Sequence, residues 1–280
     1  HGSLKIGKVG HDYLNIYDGI NKNINGLGDA AECNVNINCP EGDEWQDVKG
    51  AVTRVIAGGY LCSGALVNNI NYSGIPYFLT ANHCIDDKEV AENAVFFFNF
   101  ESPECDTTYY DMSDLHSLSG ATLVSTPPEN KLDFTLVELT SEIPTSYEPY
   151  FAGWNLDTTN ITNTTSIHHP MGDVKKITKD NDPPVVADYG DSYDRNTHWR
   201  VKEWDLGTTE GGSSGAPLFD QNQRIIGDLT GGAASCDYNF NDYYSMIHFA
   251  WESFGDPGNQ LKHWLDPRNT GFSAMDGYKP

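Results

Sequence analysis

The sequence predicts an all-β chain: two six-stranded antiparallel barrels, an irregular amino-terminal extension and one short helix near the carboxyl end. Three observations lead there. From Ala51 onward, short apolar runs of four to seven residues alternate with turn residues. Helical periodicity is almost absent until the last part of the chain. The composition, rich in Tyr, Asn, Asp, Gly and Thr, suits strands joined by turns.

Taken in order, residues 1–32 are irregular, with only 4–9 strand-like, and are expected to be an extension over the core or a retained pro-segment. Cys33 and Cys39 then bracket a small loop that needs covalent anchoring to distant parts. Strands are expected at 52–57, 61–67, 77–80, 94–100, 121–125 and 134–139. Gly58-Gly59, Asn68-Asn69, Ser73-Gly74 and Pro127-Pro128 mark turns between them. The polar stretch 140–149 joins two halves, giving a first barrel over 33–145 and a second over 146–280. The second series runs 165–168, 174–178, 185–189, 198–201, 216–219, 225–229 and 244–248. After Pro257, residues 258–265 have the spacing for two helical turns, and Pro267 stops them.

The chain of 280 residues carries a formal charge of −23. Such a surface repels phosphate backbones, so nucleic acid is excluded as a partner, while solubility and cationic partners are favoured. Six cysteines, none in a C-x-x-C pair, argue against a zinc ribbon and for three disulfides in an oxidising compartment. Spacing alone does not choose among the pairings. No apolar run approaches the ~20 residues of a membrane span. No signal peptide is visible, which suggests a processed or recombinant form, and a secreted protein is expected from the cysteines.

Chemistry concentrates at Gly211-Gly212-Ser213-Ser214-Gly215-Ala216-Pro217-Leu218-Phe219. Glycines around a serine permit a tight turn that displays the Ser214 hydroxyl as a nucleophile. The N–H groups of Gly212 and Ser214 are then candidates to hold a developing oxyanion. On its own the stretch also fits a Gly/Ser-rich surface loop, so partners decide. His83, in Thr80-Ala81-Asn82-His83-Cys84, follows a clear strand and can exchange a proton at neutral pH. Cys62 is the natural mate of Cys84. Closing that loop of about 20 residues stabilises the chain by roughly 3 kcal/mol and braces the imidazole. Asp133 lies between Leu132 and Phe134, where its neighbours would bury it, and a buried carboxylate needs a partner. Glu138, on the same strand, reaches another face and end.

The order His83, Asp133, Ser214, with Thr-Ala-x-His-Cys and Gly-x-Ser-Gly-x-Pro, resembles the chymotrypsin-like serine proteases. Cys33-Asn34-Val35-Asn36-Ile37-Asn38-Cys39-Pro40-Glu41-Gly42-Asp43, Phe151-Ala152-Gly153-Trp154, Ile167-His168-His169-Pro170 and Trp264-Leu265-Asp266-Pro267 narrow the resemblance to the bacterial lysyl endopeptidases. It covers roughly residues 33–275. It implies two β-barrels with the triad in the cleft between them, and disulfides Cys33–Cys236, Cys39–Cys105 and Cys62–Cys84. It also implies hydrolysis of protein or peptide substrates after Lys, with Arg as a further P1 residue; separately, a monomer without cofactor or metal is expected. In that family an aspartate beyond the last cysteine binds the substrate lysine. Asp242 aligns best, and Asp237 competes with it. Gly231 and Gly232 would line the pocket, and the Thr230–Gly232 edge would pair with the substrate strand.

The chain departs from the family in two places. Tyr189 and Thr230 occupy the positions of a Trp and a second His near the catalytic imidazole, which bears on the preference for Lys over Arg. Ser213 precedes the nucleophile where animal trypsins have an Asp for a newly freed amino terminus. Activation by insertion of a chain end is therefore not expected. His168-His169 invites a metal reading, but adjacent strand residues face opposite ways. Asn71, Asn160 and Asn163 begin glycosylation sequons that mean little in a bacterial product. The rival readings are a silent binding protein or adhesin on a protease scaffold, and a protease with another pocket, such as one for Glu.

Overall fold

Apolar runs between turn formers become strands, seventeen of them, in the computed structural model, which describes residues 27–106, 110–111, 115–128 and 131–280. In chain order they begin with β1 (Val35–Asn36), β2 (Val52–Ala57), β3 (Tyr60–Leu66), β4 (Tyr77–Thr80) and β5 (Val95–Phe98). Next come β6 (His116–Ser119), β7 (Ala121–Ser125), β8 (Thr135–Leu139), β9 (Gly153–Asn155), β10 (Thr164–His168) and β11 (Lys176–Asp180). The last are β12 (Val185–Ala187), β13 (His198–Glu203), β14 (Pro217–Phe219), β15 (Arg224–Gly232), β16 (Phe240–Met246) and β17 (Ala274–Met275). The helices are α1 (Lys88–Asn93), α2 (Ile247–Glu252) and α3 (Lys262–Leu265).

The chain forms two sheets, antiparallel as expected except where β9 runs parallel to β15. The first has the order β6-β5-β2-β3-β4-β8-β7. Its two edge strands meet at Gly120, whose N–H donates to Ala94 O (2.8 Å) and whose carbonyl accepts from Thr140 N (3.1 Å), so the sheet curls towards closure. The second has the order β1-β11-β10-β14-β15-β16-β13-β12, with β9 beside β15 and β17. The sheets hold seven and ten strands rather than six each: β6 adds an edge to the first, and β1, β9 and β17, pieces of two or three residues, enlarge the second. Such pieces gain their hydrogen bonds from a neighbour and leave little pattern in the sequence. Apolar residues of both sheets, among them Phe78, Phe96, Leu136, Trp154 and Ile225, form one buried cluster.

Two element expectations fail. The expected strand at 244–248 ends at Met246, and α2 follows at once. Ile247, Ala250 and Trp251, spaced three and four apart, turn one buried face to the core, a helical period hidden by the apolar strand before it. The short α1 was also unexpected; Asp87 caps it by accepting from Val90 N (2.8 Å). The terminal helical stretch is a 3-10 turn at Pro257–Asn259 followed by α3. The strand-like stretch 4–9, and the expected extension up to residue 26, lie outside the described residues.

Three disulfides close with the pairing that the resemblance implies: Cys33–Cys236, Cys39–Cys105 and Cys62–Cys84.

Candidate active site

Beyond β4 the chain tightens into a turn, with the N–H groups of Cys84 and Ile85 both donating to Ala81 O (3.2 and 3.3 Å). This turn presents His83. Asp133, just before β8 and 1% exposed, reaches it twice. Its Oδ2 lies 2.8 Å from His83 Nδ1, and its Oδ1 accepts the His83 backbone N–H at 2.9 Å. Burial lowers the pKa of the ring, but the hydrogen bond to Asp133 and its charge outweigh this, and the net shift is upward. Those two bonds also fix the ring so that Nε2 is the nitrogen left for a substrate proton.

Behind Asp133 lies a polar floor that the sequence did not reveal. The Asp133 N–H donates to Ser245 Oγ (3.1 Å), which lies 2.9 Å from Thr230 Oγ1 and 3.4 Å from His198 Nε2. Ser245 pairs with Asp228 on one side and His198 on the other, so the three side chains share one face of the sheet. Burial drives the His198 pKa down to about 4, so the ring is neutral. Burial, then the charge of Asp133, raises the Asp228 pKa well above the usual range. The signal for these residues was strand alternation on β15 and β16, which could be read only once the pairing register was known.

Ser214 sits in a turn whose glycines take conformations that side chains resist, with φ of +90° at Gly212 and +79° at Gly215. Ser63 on β3 ties this turn to the first sheet. Its N–H donates to Ser214 O (2.8 Å) and its hydroxyl to Gly212 O (2.9 Å). Cys62, next to Ser63, is bonded to Cys84, next to His83, and Cys84 Sγ lies 3.8 Å from Ser214 O. Gly215 meanwhile presses on the start of the His83 turn: a Cβ there would lie 2.2 Å from Thr80 Oγ1 and 2.7 Å from Ala81 N. The turns bearing His83 and Ser214 are thus in direct contact, and Asp133 is bonded to the first of them.

Within the serine turn, backbone donors divide sharply. The N–H groups of Ser213, Gly215 and Ala216 donate to Glu210 O, Leu229 O and Ser213 O at 3.0, 2.8 and 2.9 Å. Those of Gly212 and Ser214 donate to no group among the described residues. Ser213, fully buried, has its hydroxyl 2.7 Å from His168 Nδ1. Burial, helped by Lys176, lowers the His168 pKa to about 3, so this anchor is a neutral imidazole. His169 is buried and neutral for the same main reason, and its Nδ1 lies 2.9 Å from Asp173 O. The two adjacent rings therefore have separate partners. Among the described residues, no group of three His, Cys, Asp or Glu is placed to hold a metal ion.

The pocket candidates also come together. Asp242 on β16 is fully buried; its Oδ2 accepts from Trp204 Nε1 and Thr209 Oγ1, both at 2.7 Å. Its Oδ1 makes no hydrogen bond of regular geometry and faces Gly232. Burial raises its pKa, against the lowering pull of Trp204, Thr209 and the Ala234 N–H. Tyr189 covers Gly231, where a Cβ would lie 2.9 Å from its hydroxyl. Thr230 is engaged with Ser245 rather than with His83. Asp237, the competitor of Asp242, is exposed in the turn closed by Ser235 and Tyr238.

The family model for the lysyl endopeptidase C-terminal domain matches residues 27–245. The lysyl endopeptidase of Pseudomonas aeruginosa is 30% identical over 241 residues, which cover 79% of this chain and 50% of that protein. The chain thus spans about half the length of that relative. Among solved structures, the MamO protease domain of Magnetospirillum magneticum superposes with a TM-score of 0.48 at 15% identity, over 76% of this chain and 100% of that one. The thermostable serine protease AL20, from an extremophilic microorganism, gives 0.48 at 14% identity, over 71% and 92%. By the match to its family model over most of its length, this chain belongs to the lysyl endopeptidase C-terminal domain family.

Proposed function

We propose that the chain is a secreted serine endopeptidase that cleaves peptide bonds on the carboxyl side of Lys, with Arg as a second P1 residue. The observation that carries this is the convergence of the His83–Asp133 pair and the Ser214 turn on the Cys62-Ser63 stretch. Ser214 Oγ attacks the scissile carbonyl carbon while its proton passes to His83 Nε2. The carbonyl electrons move onto oxygen, and the unengaged N–H groups of Gly212 and Ser214 receive that charge. When the tetrahedral adduct collapses, the C–N bond breaks and His83 returns the proton to the leaving amine. Water, deprotonated by His83, then cleaves the acyl-enzyme by the same route.

Asp242 supports the choice of Lys. A buried carboxylate with one oxygen lacking a regular partner is stabilised by a cation brought to it, and a neutral side chain leaves it unpaired. The related Pseudomonas protein is called a lysyl endopeptidase, which agrees. Three disulfides fit an oxidising, extracellular setting. No helix among the described residues is long and apolar enough to cross a membrane.

The test is labelling with a fluorophosphonate probe beside turnover of Lys-, Arg- and Glu-anilides. Labelling that vanishes in Ser214→Ala, together with Lys turnover, supports the proposal. Labelling without Lys or Arg turnover retains the serine hydrolase and removes the pocket assignment. No labelling at all identifies a silent scaffold and defeats the proposal.

A further inference from the structure

Glu210 is two residues from Gly212, and its carboxylate reaches the strap formed by residues 28–34. Its Oε2 accepts the Ala31 N–H at 3.0 Å and Asn34 Nδ2 at 2.8 Å. Its backbone closes the serine turn: the Glu210 N–H donates to Ser213 Oγ (3.1 Å), and its carbonyl accepts the Ser213 N–H (3.0 Å). One residue therefore holds the strap with its side chain and the serine turn with its main chain.

A second link runs in parallel. The Gly28 N–H donates to Oδ1 of the buried Asp173 at 2.8 Å, and Oδ2 of that carboxylate lies 3.5 Å from Lys176 Nζ. Asp173 ends the turn Pro170–Gly172, which lies against the serine turn. Met171 N donates to Gly211 O (2.5 Å), and a Cβ on Gly212 would lie 2.9 Å from both Gly172 N and His169 O. The strap is itself crosslinked to the second sheet side by Cys33–Cys236. Three elements remote in sequence thus meet around the peptide that presents the Gly212 N–H.

We propose that Glu210 is a positioning residue for the oxyanion hole, held in register by the strap 28–34. No Asp stands at position 213 to do this from beside the nucleophile; Ser213 and Glu210 share the task with His168. The inference rests on Ser214 being the nucleophile and the Gly212 and Ser214 amides being the oxyanion donors. Loss of the Glu210 side chain cuts this tie between the strap and the serine turn and lets the Gly212 peptide move. Interactions made only in the transition state then weaken, while ground-state binding of the P1 side chain is left alone.

The experiment compares the full chain with Glu210→Ala, Glu210→Gln and Asn34→Ala. Three quantities are read: phosphonylation rate at Ser214, kcat and KM on a Lys-anilide, and the inhibition constant of butylamine as a pocket ligand. Glu210→Ala is expected to slow phosphonylation and kcat by about tenfold, a fraction of the ~10²–10³ lost with a whole oxyanion donor. KM and the butylamine constant stay within about twofold. Glu210→Gln, which keeps an acceptor oxygen, recovers most of the rate. Asn34→Ala gives a smaller loss of about threefold, non-additive with Glu210→Ala because both cut one link; it also serves as the readout if Glu210→Ala does not fold. Unchanged phosphonylation in Glu210→Ala and Asn34→Ala overturns the inference. So does a loss in which kcat and butylamine binding fall together and Gln recovers nothing, since that marks general loosening. A wild-type chain that is not phosphonylated defeats the serine protease reading itself, and this inference with it.

Discussion

Gly232 and Asp242 face each other across the β15–β16 pair so closely that a Cβ on Gly232 would lie 2.0 Å from Asp242 Oδ1. A side chain at position 232 would displace that oxygen. Asp242→Asn removes the charge while conserving shape, and breaking a buried ion pair costs about 3–5 kcal/mol. The expected loss in kcat/KM for Lys substrates is therefore roughly 10²–10⁴-fold, measured against a neutral P1 substrate whose rate changes little. The raised pKa of Asp242 adds a pH signature. As pH falls, the carboxylate protonates earlier than an exposed one, and KM for Lys substrates rises; in Asp242→Asn that KM dependence disappears.

His83 must be neutral to accept a proton, and its pKa is raised by Asp133 against the effect of burial. The acid limb of kcat/KM is thus expected above the ordinary imidazole value near ~6.5. Asp133→Asn should move that limb to lower pH and reduce kcat by about 10⁴-fold, the scale seen when a triad carboxylate becomes an amide. A pH–rate profile of the two proteins checks both.

His168 sets an acid limit on stability. The unfolded chain takes up its proton near ~6.5, whereas the folded ring stays neutral down to about 3. Between those values the unfolded state binds more protons, so stability falls as pH falls, by up to about 1.4 kcal/mol per pH unit for this group. Buried, neutral His169 acts in the same direction. Urea midpoints at pH 7 and 4.5 should separate clearly in the wild type and separate less in His168→Gln.

Cys62–Cys84 closes a loop of sequence separation 22 and joins the neighbours of Ser63 and His83. Replacing both cysteines by Ala should lower unfolding free energy by roughly 3 kcal/mol. Activity should fall further than stability alone explains at temperatures where the variant is fully folded, because Ser63 anchors the Ser214 turn. Denaturant titration and active-site labelling of the same sample separate the two effects.

Much of the fold was legible along the chain. The runs at 52–57, 77–80 and 121–125 coincide with β2, β4 and β7, because alternating or apolar runs bounded by turn residues carry a local signal. The boundary between β16 and α2 was not legible, since the mostly apolar stretch 243–251 runs through both. Residues such as Ser63, Ser245 and Glu210 were equally hidden. A serine on a strand or an acid before a glycine turn is common, and nothing local marks the atom it will meet.

The sequence by itself determined which side chains could carry the chemistry: His83, Asp133 and Ser214 in that order, an acid beyond Cys236, and six cysteines of set spacing. Tertiary structure decided which of them meet and in what ionisation state. Register across β13, β16 and β15 brings Ser245 under Asp133, and burial leaves His168 and His198 neutral. The physical reason is that residue type and period are local properties. Desolvation and a hydrogen bond spanning fifty or more residues, as from His83 to Asp133, exist only once strands as distant in sequence as β4 and β8 have paired and packed.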